Sequence, residues 1–152
     1  MIAAAYVALT MISAAFGLSS GAIQIRISEA LCVLPIFTLS AVPGVTVGCF
    51  IANILCGGTV YDIVFGTLAT LIAAVITYFI KNPLLSSIPT IVSNAVIIPI
   101  VLIMSGVGGV NMFPYFALTV GLGEVISCGI LGTILAVYMK KHPRVSQALF
   151  KA

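Results

Sequence analysis

The acidic residues of this sequence are few enough to be considered one by one. They number three in 152 residues: Glu29, Asp62 and Glu124. Glu124 lies eleven residues into the last long apolar segment, about 16 Å from its start at the rise of an α-helix. A carboxylate at that depth in a bilayer costs at least about 2.5 kcal/mol. Glu124 must therefore face the interior of a helix bundle, either as a ligand-binding group or as a hydrogen-bonding group between helices.

Glu29 and Asp62 each lie near the start of an apolar segment. Glu29 follows Ser28 and comes three residues after Arg26, so it can cap a helix and pair with that arginine, or bind a ligand. Asp62 can equally interact with the dipole at a helix N-terminus. Because all three acids are expected in the outer half of the bundle, together they predict a cavity with acidic walls that opens to the outside.

Uncharged polar residues can complete such a site. Asn53 and Asn94 lie in apolar segments, where an amide must find a partner in another helix or in a ligand. Gln24 and Arg26 lie in the first loop, which can close over a ligand, and Ser127 lies one turn after Glu124. The candidate substrate-binding residues are Glu124, Asp62, Glu29, Asn94, Asn53, Gln24, Arg26 and Ser127.

Membrane helices must position these side chains. Hydrophobic residues make up 62% of the chain and charged residues 6%, with a mean hydropathy of +1.33, whereas soluble domains carry about 25% charged residues. At about 20 residues per span, the chain is predicted to be an all-α integral membrane protein, a compact bundle of six transmembrane helices forming one domain over residues 1–152. The predicted helices cover approximately residues 2–18, 28–40, 44–57, 59–80, 88–105 and 113–139.

Local signals define these boundaries and the packing. Val42-Pro43-Gly44 is predicted to be a tight turn between the second and third helices. Gly44 and Gly48 are spaced four apart, and small residues form a stripe along the fourth helix, which favours close helix packing. Tyr6 and Tyr115 are typical of membrane interfaces. The stripe consists of Gly66, Ala69, Thr70, Ala73 and Thr77.

The basic residues predict the orientation. The first apolar segment lacks a basic region before it, so it is interpreted as the first span and not as a signal peptide. With six spans, five of the six basic residues lie on one side, which the positive-inside rule assigns to the cytoplasm together with both termini. These five are Lys81, Lys140, Lys141, Arg144 and Lys151. Arg26 lies on the other side.

Patterns typical of catalysis, metal binding and ATP hydrolysis are missing from the sequence. The four cysteines show no metal-ligand spacing, and the single histidine, His142, belongs to the basic tail. The sequence contains no phosphate-binding loop of the Gly-x-x-x-x-Gly-Lys-Ser/Thr type. The chain is therefore expected to bind a solute without a cofactor or metal, and not to be an enzyme.

Three segments resemble the QueT family. They are Ile23–Leu31 (IQIRISEAL), Tyr61–Thr70 (YDIVFGTLAT) and Gly121–Glu124 (GLGE). Members of this family are substrate-binding S components of energy-coupling factor (ECF) transporters, which take up queuosine precursors. The resemblance implies six helices in a prokaryotic plasma membrane, an outward-opening site, and a separate module of one membrane coupling protein and two ATPases. It also implies docking on that module through an Ala-x-x-x-Ala face of the first helix, matched here by Ala4 and Ala8.

The resemblance also suggests a role for each polar group. A queuosine precursor is a 7-deazaguanine, whose ring N–H and exocyclic amine can both donate to one carboxylate, and its aminomethyl form adds a cation. On this hypothesis Glu124 binds the purine-like edge with Asn94 and Asn53 beside it. Asp62 or Glu29 then offsets the ammonium.

Two other functions remain open from the sequence. One is an S component for another vitamin or nucleobase-like solute, which shares the fold and differs in the pocket. The other is a stand-alone ion- or proton-coupled transporter in which Glu124 relays a proton.

Overall fold

A computed structural model describes residues 1–18 and 25–142 of the chain, and all the regular elements within them are helical. The α-helices are α1 (Ile2–Ala15), α2 (Ala41–Leu55), α3 (Thr67–Phe79), α4 (Ile88–Met104), α5 (Phe113–Glu124) and α6 (Thr133–Lys141). A 3₁₀ helix (Ile27–Ile36) lies between α1 and α2, and a short one (Val110–Met112) leads into α5. Wider π-helical turns precede α3 (Asp62–Gly66) and join α5 to α6 (Val125–Gly132).

Two of the continuous helices are long and apolar enough to cross a membrane, Asp62–Phe79 with 18 residues and Val110–Lys141 with 32. The other apolar helices are shorter, at 10–17 residues. Large hydrophobic side chains such as Phe50, Val92 and Leu118 are exposed along α2, α4 and α5. A water-soluble monomer rarely exposes apolar patches of this extent. The number of spans and the side on which the termini lie stay predictions.

The second predicted helix and the turn after it differ from expectation. Residues 27–36 form a 3₁₀ helix, and the turn predicted at Val42-Pro43-Gly44 is wrong because α2 already begins at Ala41. Pro43 is the third residue of α2, where a backbone N–H has no partner within the helix and its absence costs nothing. Proline here is therefore compatible with the first turn of a helix.

The small residues allow the close packing that the sequence predicted. A Cβ atom added at Gly48 would lie 2.7 Å from Tyr6 Cβ, and one at Gly44 would lie 3.0 Å from Ile2 Cβ. The backbones of α1 and α2 therefore approach each other at these two glycines. The stripe along the fourth predicted helix is buried at each of its five positions, Gly66, Ala69, Thr70, Ala73 and Thr77.

The buried face of α1 is polar, and it holds the start of the 3₁₀ helix. Thr10 Oγ1 lies 2.8 Å from Ser28 Oγ, and the Ile27 N–H donates to Ser13 Oγ at 3.0 Å. Tyr6 belongs to the same face and is only 1% exposed, so its expected position at a membrane interface is wrong. An interfacial tyrosine needs water at its hydroxyl, whereas this hydroxyl has a buried protein partner.

Candidate binding site

The three acids of the chain line one cavity, although they are far apart in the sequence. The cavity contains about 500 Å³ of empty space, including the part open to solvent. The 3₁₀ helix, α2, α3 with its π-helical turn, α4 and α5 all contribute to its walls. The lining residues are Arg26, Glu29, Asn53, Asp62, Gly66, Thr70, Asn94, Ile98, Val120 and Glu124.

Glu124 lies at the C-terminal end of α5, directly before the π-helical turn, and is 8% exposed. Its Oε1 atom accepts a hydrogen bond of 2.8 Å from Asn94 Nδ2 on α4. Its Oε2 atom is buried and has no hydrogen-bond partner in the structure. A buried carboxylate oxygen without a donor is costly. The cavity therefore presents a strong acceptor whose orientation is fixed by the neighbouring amide.

Glu29 lies in the first turn of the 3₁₀ helix and is 2% exposed. Tyr6 Oη donates to its Oε1 at 2.6 Å, and Cys32 Sγ donates to its Oε2 at 3.1 Å. The pair with Arg26 that the spacing suggested is not formed between these two described residues. The chain turns into the 3₁₀ helix between them, so the guanidinium points elsewhere and Glu29 is held by neutral donors.

Arg26 instead connects the first loop to the end of α2. Its guanidinium donates to Asn53 Oδ1 at 3.1 Å. The Asn53 amide nitrogen donates in turn to the carbonyl of Asp62 at 3.2 Å. The Asn53 amide is thus satisfied on both sides by protein groups, and Arg26 provides the positive charge of the lining.

Asp62 has a structural partner as well as a place in the lining. Its Oδ2 atom accepts from the Thr59 N–H at 2.9 Å and from Thr59 Oγ1 at 2.8 Å, while the Asp62 N–H donates back to Thr59 Oγ1 at 3.3 Å. This reciprocal arrangement is a capping box at the start of the helix. The sequence allowed Asp62 to interact with a helix dipole or to bind a ligand; the geometry places it in the first turn of the helix and in the cavity lining.

One described residue among those predicted, Ser127, is not brought to the cavity. Ser127 is buried with an unpartnered hydroxyl but does not belong to the lining. The helix is π-helical from Val125 onward, which rotates residue 127 away from the direction it would take one α-helical turn after Glu124. Gln24 lies outside the described residues.

Four lining residues were missed from the sequence, and each of them lies four residues from another lining residue. Ile98 is four residues after Asn94, and Val120 is four residues before Glu124, so each shares a helix face with a predicted polar residue. Thr70 is four residues after the remaining one, Gly66, and its Oγ1 donates to the Gly66 carbonyl at 3.1 Å. Ile98 and Val120 add apolar side chains to an otherwise mostly polar lining.

The predicted docking residues lie on the opposite side of α1 from its polar face. Ala4 and Ala8 are exposed, whereas Tyr6, Thr10 and Ser13 are buried. The two alanines therefore form an accessible, smooth stripe. The same helix contacts the start of the 3₁₀ helix on its other side.

The lining determines which chemistry the site can perform. Within residues 1–18 and 25–142 no cluster of three His, Cys, Asp or Glu side chains is placed to hold a metal ion. The acceptors are three carboxylates, the fixed charge of opposite sign is one guanidinium, and the amide of Asn94 lies beside Glu124. Such a site favours a small ligand with several hydrogen-bond donors and a positive charge.

Known proteins and a protein-family model match this chain to different extents. Over 72 residues the chain is 40% identical to a protein named queuosine precursor transporter QueT from Lactococcus lactis subsp. cremoris (strain MG1363). The aligned segment covers 47% of this chain and 42% of that relative, so the match spans less than half of the relative's length. No solved structure matches the chain. The family model of the QueT transporter matches residues 1–141, and the chain therefore belongs to the QueT transporter family.

Proposed function

We propose that this chain is the membrane-embedded substrate-binding subunit of an ATP-driven ECF importer, and that it captures a queuosine precursor from outside the cell. The precursor is a 7-deazaguanine, such as the aminomethyl form. Convergence of all three acids on one cavity carries this proposal, since separate structural roles would not require Glu29, Asp62 and Glu124 to meet. The family assignment and the name of the Lactococcus relative support the choice of ligand.

Glu124 is assigned to the ring edge of the ligand. A 7-deazaguanine presents a ring N–H and an exocyclic amine side by side, and a carboxylate can accept from both. Glu124 Oε2 is free for this purpose, and Oε1 keeps a second lone pair beside the bond from Asn94.

The remaining acids are assigned to the charge of the ligand. The lining has three carboxylates against the one guanidinium of Arg26. A ligand with an ammonium group improves this balance, and in a poorly hydrated site a charge-assisted hydrogen bond is about twice as strong as a neutral one. The aminomethyl form therefore fits this lining better than an uncharged purine.

Energy for transport is assigned to a separate module. The sequence contains no phosphate-binding loop, and the exposed Ala4 and Ala8 stripe offers a close-packing face for a helix of a coupling protein. The subunit is proposed to span the membrane six times, with both termini in the cytoplasm.

Copurification combined with a ligand screen tests this function. A tagged chain expressed in its host membrane is expected to bring down a coupling protein and two ATPases. The purified chain is expected to be thermally stabilised by aminomethyl-7-deazaguanine and not by thiamin or riboflavin. Stabilisation by another vitamin would assign the chain to a different S component, and solute uptake by the chain alone in liposomes would contradict the need for a module.

A further inference from the structure

Tyr6 contacts the binding site indirectly, through Glu29. It does not line the cavity, yet its hydroxyl donates to Glu29 Oε1 at 2.6 Å and its side chain is 1% exposed. This bond joins α1 to the 3₁₀ helix across 23 positions of sequence. The Tyr6 hydroxyl is thus committed to one oxygen of a carboxylate that faces the cavity.

The partners of Glu29 leave its negative charge available. One oxygen accepts from Tyr6 and the other from Cys32, and both donors are uncharged. The nearby guanidinium of Arg26 donates to Asn53 instead. Each oxygen of Glu29 therefore keeps a free lone pair. Arg26 attracts the carboxylate from nearby, but no direct ion pair among the described residues neutralises it.

Asp62 is less suited to the same task. Its Oδ2 atom accepts both bonds from Thr59 in the capping box, and the side chain is only partly buried. Solvent screens a partly exposed charge. Of the two acids that can offset a cation, Glu29 therefore provides the stronger interaction.

The position of the Tyr6 hydroxyl is set by the backbone. Gly48 lets α1 approach so closely that a Cβ atom there would lie 2.7 Å from Tyr6 Cβ. The contact between Thr10 and Ser28 holds α1 against the residue that precedes Glu29. The hydroxyl consequently reaches Glu29 without side-chain freedom to lose on ligand binding.

We propose that Tyr6 is a positioning residue that makes the site selective for a cationic ligand, by holding the Glu29 carboxylate toward the ligand's ammonium group. The proposal rests on the function proposed above and adds to it the acid that pairs with the ammonium and the residue that prepares that acid. A hydrogen bond to a charged group is roughly twice as strong as one between neutral groups. Loss of the Tyr6 hydroxyl therefore weakens binding of the cation specifically.

Tyr6→Phe tests this role, because it keeps the ring against Gly48 and removes the hydroxyl. Purified wild type and variant are titrated calorimetrically with aminomethyl-7-deazaguanine and with uncharged 7-deazaguanine. The expected result is a loss of about tenfold or more in affinity for the aminomethyl form, with less than about twofold for the uncharged ring. An unchanged ratio of the two affinities would overturn the proposal, since a purely structural tyrosine affects both ligands alike.

Matched variants separate this role from general damage. Thr77→Val removes a buried hydroxyl whose hydrogen bond is to the Ser86 carbonyl and involves neither α1 nor the 3₁₀ helix, and it is expected to leave the ratio unchanged. In a Glu29→Gln background, Tyr6→Phe is expected to have no further effect on the ratio. A ratio lowered equally by Thr77→Val, or additive effects of Tyr6→Phe and Glu29→Gln, would contradict the proposal.

Cys32→Ala tests the same proposal if the Tyr6→Phe variant does not fold. It removes the other donor to Glu29 and is expected to lower the ratio in the same direction, whereas no change would count against the proposal. If wild type binds both ligands and the variants keep its ratio, only the role of Tyr6 fails. If wild type binds neither ligand, the proposed function fails and this inference fails with it.

Discussion

Replacing Glu124 by glutamine is the most informative change in the cavity. The substitution keeps size and shape but converts one carboxylate oxygen into an amide NH₂. Asn94 Nδ2 donates to the oxygen at the Oε1 position, so the glutamine is expected to keep its oxygen there. Its NH₂ group then replaces the unpartnered Oε2 and points a donor at the donors of the ligand.

The geometry gives a magnitude for the loss. At least one charge-assisted hydrogen bond to the ligand disappears, which is worth about 1.5–3 kcal/mol. Since about 1.4 kcal/mol corresponds to a factor of ten, the dissociation constant is expected to rise roughly 10- to 150-fold. The ligand-free variant should be as stable as wild type or more stable, because glutamine removes a buried carboxylate with an unsatisfied oxygen.

Calorimetric titration with aminomethyl-7-deazaguanine measures this loss, and Asn94→Asp provides the matched test. In the double variant Glu124→Gln with Asn94→Asp, the aspartate accepts from the glutamine NH₂, so the amide turns and its oxygen faces the cavity. Affinity is expected to recover about tenfold relative to Glu124→Gln alone, as one neutral acceptor is restored. Binding by Glu124→Gln as tight as wild type would refute the assignment of Glu124.

Three further variants test the packing, the cap and the docking face. Gly48→Ala is expected to lower the free energy of unfolding, measured by denaturation, by about 1–3 kcal/mol through overpacking. Its control is Gly121→Ala, where the added Cβ atom meets its nearest neighbour at 3.8 Å. This control should be neutral or stabilising in the same assay. Asp62→Ala should lose about 0.5–2 kcal/mol of stability with its cap, and Asp62→Asn, which keeps an acceptor, should lose less. Ala8→Leu should abolish copurification of the ECF module without changing ligand affinity, whereas Val92→Leu on the exposed face of α4 should not.

Each of these variants has an outcome that would contradict its reasoning. Equal stabilities of Gly48→Ala and Gly121→Ala would mean that α1 and α2 are further apart than described. Equal losses for Asp62→Ala and Asp62→Asn would remove the capping role. Retention of the module by Ala8→Leu would place docking on another face of the protein.

The sequence was sufficient to identify the polar centre of the cavity, because acids are rare in this chain. Glu29, Asp62 and Glu124 are the only acidic residues of the sequence, so there were no other acids to choose between. A charged side chain on an apolar membrane helix must face the interior of the helix bundle. Asn53 and Asn94 were predicted for a similar reason, because a buried amide without a hydrogen-bond partner also costs free energy. The predicted helices also came close to the observed ones where an apolar run ended at glycine or at charged residues, as at Ser105-Gly106.

Partners of the acids were not predictable, because they depend on how helices turn relative to each other. A pair between Glu29 and Arg26, three residues earlier, was one of two alternatives for Glu29, but the chain enters a 3₁₀ helix there and Arg26 reaches Asn53 instead. Ser127 was expected beside Glu124, and the π-helical turn changes its direction. Tyr6 was assigned to a membrane interface because the sequence does not reveal its buried partner. That partner, Glu29, lies 23 residues away.

The structure of this protein with aminomethyl-7-deazaguanine bound, determined in a lipid environment, tests the central claim most directly. The account predicts the ligand inside the cavity, with its ring N–H and exocyclic amine about 2.7–3.1 Å from the Glu124 carboxylate and its ammonium group beside Glu29. Ligand density elsewhere on the protein, or a ring oriented with its donors away from Glu124, would contradict it.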